Sequence, residues 1–200
     1  MADAVVKPTL QDLGNDRTVL VKIAVRHCLV PHPEVVSAFP NAVFPSVRDA
    51  RKRGQVEDRE GQTVMFDDNT TPRWAILWSH GIKSLPRAHG WTFAHVWNRS
   101  TDHSKTHHAY THLANLCMMP EFLSSLSDKQ GPLVDYLRYH SWDQYGWSPD
   151  GLPPQKPADY DDMEWRYLQP VADPKSVFQG MLLASKDKRA IELRQLMSIN

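Results

Sequence analysis

The residues most capable of chemistry are a histidine and an asparagine twenty positions apart, His95 and Asn115. Residues 90–97, GWTFAHVW, alternate in strand fashion: Trp91, Phe93, His95 and Trp97 project to one face, Thr92, Ala94 and Val96 to the other. The run Asn115-Leu116-Cys117-Met118-Met119 then reads as a second strand or extended turn, and Pro120 begins a helix, PEFLSSLS. Between them lies a polar loop holding His103, His107, His108 and His112. Hydrolysis of a phosphodiester needs an activated water, a divalent cation on the phosphate and stabilisation of the leaving oxygen. A strand-end imidazole can take the proton from water, and a loop amide can fix its orientation. Oxygen or imidazole donors nearby can hold a hard cation.

Phe93-Ala94-His95-Val96-Trp97 resembles the first-strand signature of HNH-type nucleases, and Asn115-Leu116-Cys117-Met118-Met119-Pro120 resembles their second. The order of strand, polar loop, Asn-Leu-apolar run and helix strengthens the likeness, which covers residues 91–128. It implies a ββα-metal core and a metal-dependent endonuclease acting on DNA, with RNA as an alternative. His95 would be the general base, Asn115 the orienting residue, and Mg²⁺, Mn²⁺ or Zn²⁺ the cofactor. Two positions depart from the pattern. Ala94 stands where the family often has an acidic or histidine ligand, although its DRGH-type relatives also lack one there. Ser124 and Ser125 stand where the family usually ends in His or Asn. Donors must then come from elsewhere, and His108, Ser124 and Asp128 are the expected ones. Asp102, His103, His107 and His112 are further possibilities.

Around this core the pattern is mostly helical. Residues 18–30 lean to helix, and Pro33 opens a short one closed by Pro40. Ser46 is expected to cap a helix through VRDARKR that stops at Gly54. That helix carries Arg48, Arg51, Lys52 and Arg53, which with Arg99 and Lys105 are the expected phosphate contacts. Residues 61–68 read as a turn and strand, and Thr71-Pro72 open a helix ending at Gly81 whose tryptophans, Trp74 and Trp78, face the core. Further helices are expected over residues 128–146 and from Asp173 to about Leu196, broken near Ser185.

The class expected is α+β, a mostly helical chain around a small ββα-metal core with a few short antiparallel strands. Residues 1–90, 91–147 and 148–200 are its three parts, packed as one compact domain. The 200 residues are 41% hydrophobic and 23% charged with formal net charge zero, ordinary for a folded soluble protein. Cys28 and Cys117 form no CxxC pair, which excludes a four-cysteine zinc clasp. MADAVVKPTLQDLG does not read as a signal peptide, and no apolar run approaches the length of a membrane span, so a cytoplasmic protein with no membrane partner is expected, with a homodimer left open. Neutral charge and the missing ligands also fit another class, a catalytically degenerate HNH-like module that binds nucleic acid or protein. A transition-metal protein built on HSKTHHAYTH is a third possibility, although its spacing matches no closed zinc site.

Overall fold

The computed structural model describes residues 14, 16–59, 61–85, 90–97, 106–128 and 131–199. The expected contacts Arg99 and Lys105, and the alternative donors Asp102 and His103, lie outside the described residues. The elements are α1 (Asp16–His27), β1 (Leu29–Val30), α2 (Pro33–Ala38), β2 (Ser46–Arg48), β3 (Val56–Arg59), β4 (Gln62–Asp67) and α3 (Thr70–Ser79). They continue with β5 (Trp91–His95), β6 (Leu116–Pro120), α4 (Val134–Tyr145), β7 (Arg166–Tyr167), α5 (Pro174–Ala184) and α6 (Lys188–Leu196). The fold is α+β. Its strands form two small sheets, ordered β5-β6-β1-β7 and β2-β4-β3. Both are mixed rather than antiparallel throughout, because β1 pairs β7 and β2 pairs β4 in parallel.

β5 and β6 form the hairpin expected from the sequence, with Phe93 opposite Met118, Ala94 opposite Cys117 and His95 opposite Leu116. The seven residues after it, Glu121–Ser127, wind as a 3-10 helix rather than an α-helix. Strand alternation splits the apolar core in two. Trp91, Phe93, Leu116 and Met118 pack with α3, α5 and α6, while Ala94, Cys117 and Met119 pack with α1, α4, Leu123 and Leu126. The first of these clusters runs from Val35 to Leu193, so the C-terminal helices help bury the face on which His95 projects.

The helix expected from Ser46 to Gly54 does not form. Ser46, Val47 and Arg48 are instead paired in parallel with Met65, Phe66 and Asp67 of β4. Only Ala50–Lys52 turn, as one 3-10 turn capped by the Asp49 side chain on the Arg51 N–H. Two effects favour the strand: Val47 is buried in the sheet, and a helix would set the like charges of Arg48, Arg51 and Lys52 three and four residues apart.

Asp67, fully buried at the end of β4, ties the two halves together. Its carboxylate accepts the Thr71 N–H at 2.7 Å and the Thr71 hydroxyl at 3.0 Å, so it caps α3 in place of Thr71 itself. The Tyr110 hydroxyl (3.2 Å) and Arg189 of α6 (3.5 Å) complete its shell. Arg189 also reaches Asp68 at 3.2 Å and the Thr70 hydroxyl at 2.8 Å. No helix among the described residues is long and apolar enough to cross a membrane. Because the Thr71 N–H and the Thr71 and Tyr110 hydroxyls would lose their buried acceptor, Asp67→Ala should lower the unfolding free energy by about 3 kcal/mol. Urea titration checks this, and a loss below about 1 kcal/mol would show the network to be peripheral.

Candidate functional site

His95 ends β5 on the α3 side of the sheet, and its ring lies parallel to that of Tyr110, with centroids 5.2 Å apart and planes 10° from each other. Its Nε2 is 3.0 Å from the Tyr110 backbone carbonyl. A carbonyl only accepts, so Nε2 carries the hydrogen and Nδ1 keeps the lone pair. No described residue is bonded to Nδ1. Burial under Tyr110 pushes the imidazole pKa down to about 4, and the Arg48 charge lowers it further against the opposing pull of the carbonyl. The ring is therefore neutral near pH 7, with Nε2 committed to the carbonyl and Nδ1 carrying a lone pair that no described residue binds.

Asn115 holds this arrangement in place. It is completely buried. Its Oδ1 accepts the Trp97 N–H at 2.8 Å, and its Nδ2 donates to the Ala109 carbonyl at 2.8 Å. Its own carbonyl accepts the Val96 N–H at 2.9 Å. The chain leaving the His95 strand is thus tied to the loop residue next to Tyr110. One amide fixes both the histidine and the carbonyl that sets its tautomer. The expected pairing of His95 with Asn115 is brought together in the structure, with the amide consumed in orientation.

The expected cation donors do not converge. Leu123 and Leu126 seat the Glu121–Ser127 segment against Ala94, Cys117 and Met119, on the sheet face opposite His95. Ser124 belongs to that segment, and exposed Asp128 directly follows it. His108 is exposed and lies against His107, with ring centroids 3.7 Å apart. Among the described residues no three His, Cys, Asp or Glu side chains could hold one ion. These residues do not fit the divalent cation that the HNH resemblance implies.

The basic cluster disperses as well. Lys52 pairs with Glu57 at 2.7 Å and Arg53 with Asp68 at 2.8 Å, while Arg51 is exposed. Arg48 alone is turned toward the histidine, near enough for its charge to act on His95 and Tyr110. Its Nε is buried without a hydrogen-bond partner. Tyr110 escapes a reading of the sequence, because it acts through a backbone carbonyl and a ring face, which no residue-type pattern encodes. Arg48, an expected phosphate contact, is carried by β2 rather than by the expected helix.

Three other histidines are structural. His80 Nε2 accepts the His32 N–H at 3.1 Å, and its Nδ1 lies 2.7 Å from the Ile76 carbonyl. His112 accepts the Ala114 N–H, bonds the Pro40 carbonyl and stacks on Trp147. His140 lies 2.9 Å from the Tyr160 hydroxyl and stacks on Trp165 at 3.8 Å. No family model, curated protein or solved structure matches the chain.

Burial lowers the pKa of His80, His95 and His112 to about 4 and that of His140 to about 3. The unfolded chain therefore binds protons at these sites below pH about 6.5 while the folded chain does not. Their contribution to stability is whole above that pH and is lost as the pH falls toward 4, at about 1.4 kcal/mol per pH unit for each histidine. The thermal midpoint should drop steeply from pH 6.5 to 4.5, and less steeply in His140→Gln. A flat profile would contradict the buried neutral state.

Proposed function

We propose that the chain hydrolyses phosphodiester bonds of nucleic acid, as an HNH-like endonuclease with His95 as general base. The observation that carries this reading is the His95 tautomer: Nε2 is bonded to the Tyr110 carbonyl inside a loop clamped by Asn115, and Nδ1 has no bonded partner among the described residues. In the proposed step Nδ1 takes a proton from water and the resulting hydroxide attacks phosphorus. One P–O ester bond breaks, and the leaving oxygen takes a proton from solvent.

An imidazole pKa near 4 makes a weak base in the free protein. A bound phosphodiester anion would raise it, because a nearby negative charge favours the protonated ring. Arg48 suits the same substrate, because its charge acts on His95 and would favour a phosphate anion held there.

Cleavage of plasmid DNA, single-stranded DNA and RNA is the test, run with Mg²⁺, with Mn²⁺ and after chelation. His95→Ala should lower the rate by about 100- to 10,000-fold in whichever condition the unaltered chain is active. Retained cleavage in His95→Ala would sink the mechanism. Binding without cleavage by the unaltered chain would favour a binding module instead.

A further inference from the structure

A cleft of about 400 Å³ opens between the start of α3 and β5, the strand that His95 ends. Its lining includes Asn69, Arg73, Trp74, Lys83 and Phe93. Phe93 precedes His95 by two residues on the same strand face, about 6–7 Å along the strand. Asn69 is joined to the histidine through Tyr110: its N–H donates to the Tyr110 hydroxyl at 2.9 Å, and the Tyr110 ring stacks on His95. The cleft therefore adjoins both the strand that carries the proposed base and, through Asn69, the tyrosine stacked on it.

Charge and shape together select the occupant. The acid in the lining, Asp68, is already held by Arg53 at 2.8 Å and Arg189 at 3.2 Å. Arg73 and Lys83 have no anionic partner among the described residues. The Arg73 guanidinium lies 5.5 Å from the Phe93 ring centre, so cation and aromatic face are already side by side. Trp74 is stacked on Trp78 at 4.7 Å, and the Lys83 carbonyl accepts the Trp78 indole N–H at 3.2 Å. These contacts fix both the aromatic wall and the backbone of the cationic rim. Two cations without an anionic partner among the described residues, one of them over an aromatic face, suit a base that stacks and a phosphate that is neutralised.

We infer that this cleft binds one nucleotide of a single-stranded nucleic acid, adjoining the phosphate presented to His95. A base still paired in a duplex cannot enter a recess of this size without leaving its stack. The base lies against Phe93, and its phosphate lies between Arg73 and Lys83. The assignment rests on the hydrolase reading for its place in the reaction, and it makes single strands the preferred substrate class.

Binding measured without cleavage tests it. The probe is a fluorescently labelled oligonucleotide, single-stranded or annealed into a duplex, titrated into the full chain carrying His95→Ala. The single strand should bind at least tenfold more tightly than the duplex. Arg73→Gln combined with Lys83→Gln should weaken single-strand binding at least tenfold. It should also make the plot of log affinity against log salt shallower by about 1.4, or 0.7 for each lost phosphate contact. Phe93→Leu should weaken binding about fivefold or more with the slope unchanged. Equal affinity for duplex, an unchanged affinity or slope in the glutamine pair, or no binding to either oligonucleotide would overturn the assignment. If the unaltered chain binds in this pattern but never cuts, the hydrolase reading fails and the cleft assignment stands.

Discussion

The site depends on one buried amide. Asn115 has no exposed surface, so each of its polar atoms must find a partner inside the protein. It finds them on both sides of the long loop between β5 and β6, at Trp97 and Ala109. A loop closed in this way cannot slide relative to the hairpin without leaving a buried donor and acceptor unpaired, which costs a few kcal/mol. The His95 geometry follows, because the Tyr110 carbonyl is carried by the residue next to the clamped one. The hairpin register adds to it by placing His95 opposite Leu116, on the face closed by α3 and the C-terminal helices.

That clamp is supported from a distance. Asp67 joins β4, α3, Tyr110 and α6 through one carboxylate. The Tyr110 ring is thereby held at its hydroxyl end by Asp67, while its flat face lies against the His95 imidazole. The protein thus builds its neutral histidine from two sides, a carbonyl fixed by Asn115 and an aromatic ring fixed by Asp67. Farther along the same strand, Phe93 meets Arg73 of α3 at the rim of the cleft.

Much of this was legible in the residues. Alternation over GWTFAHVW located β5 and put His95 with Phe93, and the apolar run after Asn115 located β6. Proline and glycine marked α2 and the end of α4, where Gly146 adopts φ 63°. The break near Ser185 separates α5 from α6. Other features depended on contacts remote in sequence. Residues 46–53 have helical signals at both ends, yet pairing with β4 made Ser46–Arg48 a strand. Ser124 was matched by spacing, but spacing carries no information about which sheet face a segment covers; Leu123 and Leu126 decided that. The roles of Tyr110 lie in its carbonyl and its ring plane, and the pairing of Asp67 with Arg189 spans 122 positions.

The central claim is that His95 is held as a neutral base with its hydrogen on Nε2. Long-range ¹H–¹⁵N correlation spectra of the imidazole rings measure this directly. At pH 7 the account predicts a protonated Nε2 and an unprotonated Nδ1 for His95, with titration only near pH 4. In Asn115→Ala that single-tautomer signature should give way to a mixture. A hydrogen on Nδ1, or a titration near pH 6.5 in the unaltered chain, would contradict the account.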